Sequence, residues 1–174
     1  MFKKLLIASV LAGGCVLPSA ASDYYLGVSF VDSEISGDGI DLEDDGYAIT
    51  IGRSIGISSA VDTALEFSIA NLQKMNIDGV ELTTETMDLS LLVSNDYGRF
   101  SPFVRFAFSD GEIEASVGGA SVKSDDKTMT YGLGVDYAVN DSSFIRLELT
   151  DGEYSENGSD VDVETTRFGV FTKF

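Results

Sequence analysis

Histidine and tryptophan are absent from the 174 residues, and the chain has only two prolines and a single cysteine. Without imidazole it lacks the usual general base of hydrolases, the commonest zinc ligand and a switch near neutral pH. One thiol, Cys15, builds neither a disulfide framework nor a cysteine-rich metal site, so only oxygen ligands remain. Basic residues are scarce too: 11 Lys and Arg face 29 Asp and Glu, a formal charge of −18. Such a surface repels phosphate backbones, whose binding depends on Lys and Arg displacing counterions, and nucleic acid is ruled out as a partner. No apolar run reaches the ~18 residues that a membrane-spanning helix needs. What is present is a chain 44% hydrophobic with 18 glycines, too apolar for a disordered segment and of a length for one domain.

The first 21 residues read as a secretory signal peptide. Lys3 and Lys4 precede an apolar core, Leu5 to Leu11, and Pro18-Ser19-Ala20-Ala21 supplies a helix break and small residues for cleavage. A lipoprotein leader competes, because Leu11-Ala12-Gly13-Gly14 runs up to Cys15, although Ala12 stands where a larger aliphatic residue is expected. Cleavage after Ala21 removes two lysines, leaving 9 basic residues against 29 acidic, a charge of −20 on the exported domain, residues 22–174.

That domain shows strand periodicity throughout. Eight stretches alternate apolar residues with small or polar ones, beginning with Tyr24-Leu26-Val28-Phe30 against Tyr25-Gly27-Ser29 and Tyr47-Ile49-Ile51 against Ala48-Thr50-Gly52. The third and fourth carry Leu65-Phe67-Ile69 and Met87-Leu89-Leu91-Val93; the fifth and sixth carry Val104-Phe106-Phe108 and Met129-Tyr131-Leu133-Val135-Tyr137. Ile145-Leu147-Leu149 and Phe168-Val170-Phe174 complete the set. Short links near 54–60, 95–98 and 140–143 alternate with long loops near 32–46, 71–85, 110–127 and 151–164. Short turns on one rim and long loops on the other, with an even strand number, mark a bacterial transmembrane barrel.

The set opposite the apolar one is mostly Gly, Ala, Ser and Thr, poorer in charge than a solvent face. It suits the narrow interior of an eight-strand barrel, with the apolar set turned to lipid. Tyrosines 24, 25, 47, 97, 131, 137 and 154 lie at or near strand ends, as interfacial girdles require.

Tyr131-Gly132-Leu133-Gly134-Val135-Asp136-Tyr137-Ala138-Val139-Asn140 followed by Phe144-Ile145-Arg146-Leu147-Glu148-Leu149 resembles the sixth and seventh strands of small outer-membrane barrels of the OmpX/OmpA type. The resemblance implies a C-terminal signal for the barrel-assembly machinery, which Gly169 and Phe174 match, whereas Thr172 stands where an aromatic is usual and Phe171 is adjacent.

Two constellations are candidate sites. The alternation points Glu66, Asp88, Asp136 and Glu148 inward with Arg105, Arg146 and Arg167. Paired by fork-like hydrogen bonds they fill the interior; an ion or proton path is the functional alternative. The first long loop offers Asp41, Glu43, Asp44 and Asp45 as a loose calcium or magnesium site shared with anionic lipopolysaccharide. The stretch from Asp41 to Gly46 resembles half an EF-hand loop, but Gly52 stands where the twelfth-position Glu belongs. No resident cofactor is implied beyond such an ion.

The expectation is therefore an all-β, eight-stranded antiparallel up-and-down transmembrane barrel in a Gram-negative outer membrane. Its partners would be outer-membrane lipid and lipopolysaccharide, the assembly machinery, and a surface partner met through the external loops. The role is structural or interactive rather than enzymatic, in membrane integrity, adhesion or surface contact. A small-solute or ion channel and a soluble exported ligand-binding barrel are the alternatives.

Overall fold

The computed structural model describes residues 23–37, 40–56, 61–72, 75–77, 80–117, 120–156 and 159–174. Residues 1–21, read from sequence as a signal peptide and including Cys15, lie outside them. All regular structure among the described residues is β: β1 (Tyr24–Gly37), β2 (Ile40–Ser54), β3 (Asp62–Leu72), β4 (Met75–Ile77), β5 (Val80–Ser94), β6 (Phe100–Val117), β7 (Ala120–Ala138), β8 (Ser143–Glu156) and β9 (Ser159–Lys173). The short β4 continues β3 along the same neighbour, β5. Eight antiparallel barrel strands thus follow one another, and the β1–β9 pairing closes the ring. Both ends of the wall, Tyr24 and Lys173, share the rim of the short links, the periplasmic rim in bacterial barrels.

Alternation decides which side chain goes where. On the outside Ile49, Leu65, Leu89, Phe106, Leu133 and Leu147 are each 45% or more exposed, while their neighbours Thr50, Glu66, Ser90, Arg105 and Glu148 are buried. Apolar outside and polar inside inverts a soluble protein, and lipid is the solvent that makes such a surface stable. Aromatic pairs ring both edges of this band. Tyr24 stacks on Phe174 at 6.5 Å and Phe100 meets Tyr137 at 5.0 Å on the short-link rim. Phe30 with Tyr47 and Phe106 with Tyr131, each at 6.0 Å, mark the other.

The four long loops expected from sequence are largely strand. β1 and β2 stay paired out to Gly37 and Ile40, β6 and β7 to Val117 and Ala120, and β8 and β9 to Glu156 and Ser159. Once the strands leave lipid both faces meet water, so the apolar period vanishes while the hydrogen-bond ladder continues.

The ladder also divides. The β7–β8 pairing ends at Thr130 and Gly152, and the β2–β3 pairing ends at Gly46 and Leu72. Beyond these points the wall continues as two four-stranded leaves, β8–β9–β1–β2 and β4–β5–β6–β7.

Glycines on the inner face make room for large neighbours. A Cβ on Gly134 would overlap the Phe103 ring and approach the Leu147 carbonyl oxygen at 2.6 Å, and the backbone of a closed ladder cannot yield. Gly134→Val is expected to cost about 3 kcal/mol by overpacking, read as a lower urea midpoint for loss of the heat-modifiable gel band in detergent.

Candidate functional site

The barrel interior is layered. Nearest the short-link rim, Tyr25, Phe144 and Phe171 form an aromatic cluster, with Phe144 stacked on Phe171 at 4.9 Å and Tyr25 edge-on to both. The Arg146 guanidinium lies over Phe103 and Phe171 at 4.7 and 4.6 Å, so aromatic faces cover a charge that also has carboxylate partners.

Those partners come from strands far apart in sequence. Arg146 Nη1 donates to Glu66 Oε1 at 2.6 Å, while its Nε and Nη2 fork onto Asp136 at 2.7 and 2.9 Å. Glu66 also accepts the Tyr25 hydroxyl at 2.5 Å. A second group lies beside the first: Asp88 Oδ2 receives Arg105 Nη2 at 3.0 Å and Arg167 Nη2 at 2.7 Å. Glu148 joins the two, reaching Arg105 at 3.4 Å and Arg167 at 3.9 Å through Oε1 and Arg146 at 4.0 Å through Oε2. The structure therefore brings together all seven residues, Glu66, Asp88, Arg105, Asp136, Arg146, Glu148 and Arg167.

The two groups differ in saturation. Arg146 spends three nitrogens on carboxylates, whereas the buried Arg105 Nε, Arg167 Nε and Glu148 Oε1 make no hydrogen bond. Toward the outer rim charge gives way to hydroxyls, with Thr50 and Ser68 at 2.7 Å and Ser33 and Thr165 at 3.0 Å.

Tyr25, Phe103, Phe144 and Phe171 were not singled out as site residues by the sequence reading. Their signal was parity: each falls on the small-residue face of its strand, where a large aromatic must point inward.

The assembly-signal residues sit on β9 and just beyond it. Gly169 faces inward against Ser29. The Phe174 N–H donates to the Tyr24 carbonyl at 3.0 Å. Thr172 lies opposite Leu26 on the lipid-facing register and Phe171 is buried inside. Phe171 thus cannot supply the outward aromatic missing at Thr172.

The expected cation loop is not a loop. Asp41, Glu43, Asp44 and Asp45 lie on β2, opposite Ser36, Glu34, Ser33 and Asp32. A strand turns successive side chains to opposite faces, so Glu43 and Asp45 project outward while Asp44 turns in beside buried Ser33. Among the described residues no three acidic side chains converge on a space fit for a metal ion. Burial pushes the Asp44 carboxyl up from its ordinary range; the Asp45 backbone N–H opposes this and the Asp45 carboxylate adds to it.

The two leaves differ in charge. The segments of the β8–β9–β1–β2 leaf, 32–45 and 151–164, hold thirteen acidic residues and no lysine or arginine, whereas β7 of the other leaf includes Lys123 and Lys127. The outward-facing Asp151, Glu164, Glu34 and Glu43 are consecutive cross-strand neighbours over four strands.

The profile of the outer membrane protein beta-barrel domain matches residues 6–174. Among solved structures, Neisserial surface protein A (NspA) aligns with a TM-score of 0.73 at 16% identity, covering 90% of this chain and 100% of that one. Ail, the attachment invasion locus protein of Yersinia pestis, in complex with the heparin analogue sucrose octasulfate, aligns at 0.67 and 13%, covering 89% and 100%. OprG of Pseudomonas aeruginosa aligns at 0.54 and 14%, covering 88% and 96%. No curated protein sequence matches the chain. At these identities the likeness is one of fold. The profile match over nearly the whole length, on a closed wall that turns its apolar side chains to lipid, makes this chain a member of the outer membrane protein β-barrel domain family, resident in the bacterial outer membrane.

Proposed function

We propose that the barrel is an anchor with a plugged interior, displaying its acidic leaf to a cationic partner at the cell surface, and that it is neither an enzyme nor a channel. The observation that carries this reading is the leaf of thirteen acidic residues without a basic one. Like charges directly opposite across a ladder are destabilising, so the rows of Asp151, Glu164, Glu34 and Glu43 gain by meeting positive charge. The leaf also ends in β2 and β8, strands that lose their β3 and β7 partners beyond Gly46 and Gly152. Such edges accept an added strand, and an extended basic segment would join ladder hydrogen bonds to charge pairing. Ail is recorded with a sulfated sugar analogue; a ligand of that charge is repelled here. The interior network argues against conduction, because its arginines and carboxylates span the space between facing walls.

The test uses the refolded protein in liposomes and a basic, extended twelve-residue peptide. Binding is expected to weaken about tenfold when Glu43→Gln, Glu153→Gln and Asp162→Asn are combined, and to fall steeply with salt. Planar bilayers should show no discrete current steps. Unchanged peptide binding in the triple variant, or regular steps from the wild type, would overturn the reading.

A further inference from the structure

The lipid-facing row of β2 ends in a cation. Tyr47, Ile49, Ile51 and Arg53 share the outward register, and Arg53, at the short-link rim, is itself exposed. Its guanidinium lies over the Tyr24 ring of β1, 5.0 Å from the centroid, and Tyr24 stacks in turn on Phe174. Guanidinium and rings thus form a row across the ends of β2, β1 and β9 on the outside of the wall. Beside them the wall is apolar: Ile51 precedes Arg53 by two residues and Leu65 faces it across the β2–β3 ladder, 46% and 47% exposed.

In a chain with 29 acidic residues against 11 basic ones, this guanidinium pairs with no carboxylate among the described residues. Parity is the reason. Asp62, the acid at the start of β3, falls on the inward register with Ala64 and Glu66, so the outer face of this rim offers Arg53 an aromatic plate and no anion.

We propose that Arg53, held on Tyr24, binds the phosphate of an anionic phospholipid in the periplasmic leaflet, whose acyl chains lie against Ile51 and Leu65.

The place selects a lipid. At the short-link rim the hydrocarbon band gives way to headgroups, and a long basic side chain at such a boundary extends its charge into the headgroup layer. The planar guanidinium fork matches the oxygens of a phosphate. Tyr24 covers one face of the guanidinium and fixes its plane, so less side-chain freedom is lost on binding. A head that also carries an ammonium group would bring a like charge toward Arg53, which favours heads of net negative charge. The inference is independent of the surface-contact reading, since it concerns the opposite rim and a partner of opposite charge.

The chain has no tryptophan, so Leu65→Trp, directly across the ladder from Arg53, provides a single fluorophore. The refolded protein is placed in phosphatidylcholine vesicles containing rising fractions of chain-brominated phosphatidylglycerol, and in a parallel series with phosphatidylcholine brominated at the same carbons. The two quenching curves together give the preference for the anionic head, expected to be about fivefold. It should vanish when Arg53→Gln is added and about halve when Tyr24→Leu is added, with the heat-modifiable band confirming that each variant is folded. A second reporter, Leu147→Trp on the lipid-facing register of β8, should show no headgroup preference. No preference at Leu65→Trp, a preference unchanged by Arg53→Gln or by Tyr24→Leu, or the same preference at Leu147→Trp would each overturn the proposal. So would loss of the preference in inorganic phosphate but not in sodium chloride of equal ionic strength, which would make Arg53 a site for the free anion.

Discussion

Replacing Arg146 by alanine is expected to lower the stability of the folded barrel by about 3–5 kcal/mol, the range for removing one partner of a buried ion pair. The reason lies in what remains behind. Glu66 and Asp136 would lose hydrogen bonds of 2.6, 2.7 and 2.9 Å, and Glu66 is 2% exposed. The aromatic faces of Phe103 and Phe171 would also lose the cation they cover. Urea titration in detergent, read by the heat-modifiable gel shift, measures the effect. Glu66→Gln should cost less, because the amide oxygen still accepts from Arg146 and the Tyr25 hydroxyl. A loss below about 1 kcal/mol for Arg146→Ala would show that the network adds nothing to the wall's own ladder. Since Phe103, Phe144 and Phe171 still occlude the same end of the lumen, the variant should stay free of discrete current steps in planar bilayers. New steps without unfolding would favour a gated path.

Leu89→Arg is the second large effect. Leu89 is 52% exposed and lies in the middle of the apolar band, between Phe67 on β3 and Phe108 on β6. On a protein in water, a substitution at so exposed a site stays within about 0.5 kcal/mol. In a bilayer an arginine at the midplane costs about 2–4 kcal/mol. Unfolding in phospholipid vesicles should therefore show the larger loss. The same charge at Asn71, cross-strand from Tyr47 in the outer girdle and itself exposed, should cost no more than about 1 kcal/mol. A flat response at both positions would contradict lipid contact at Leu89.

The interior and the exterior were not equally legible. Parity alone places Glu66, Arg105 and Arg146 inside, because a strand's side chains alternate without exception over short lengths. Parity says nothing of reach or partner: Arg146 forks onto its β7 neighbour Asp136 yet also crosses the lumen to Glu66, eighty residues away in sequence. The cage of Phe103, Phe144 and Phe171 around that guanidinium is likewise a matter of reach: Phe144 and Phe171 face each other across the β8–β9 hairpin, while Phe103 comes from β6, two strands away from β8.

Outside the membrane the limits reverse. The acidic composition of 32–45 and 151–164 is evident by inspection. That these two stretches become one leaf is a consequence of the β1–β9 pairing, which brings the ends of the chain together. That they are strands rather than loops is equally hidden, since residues with water on both faces need no apolar period to stay paired. Asp41, Glu43, Asp44 and Asp45 look like a ligand cluster on a flexible loop, and extended backbone turns Asp44 away from Glu43 and Asp45.

Local chemistry was thus sufficient for the strands, their lipid-facing residues, the closed antiparallel wall and its membrane, because two-residue alternation is written into each segment separately. Partner choice in the charge network and the division into two leaves arose from closure. Shear and register set which side chains meet, and these are properties of the whole ring that no single strand encodes.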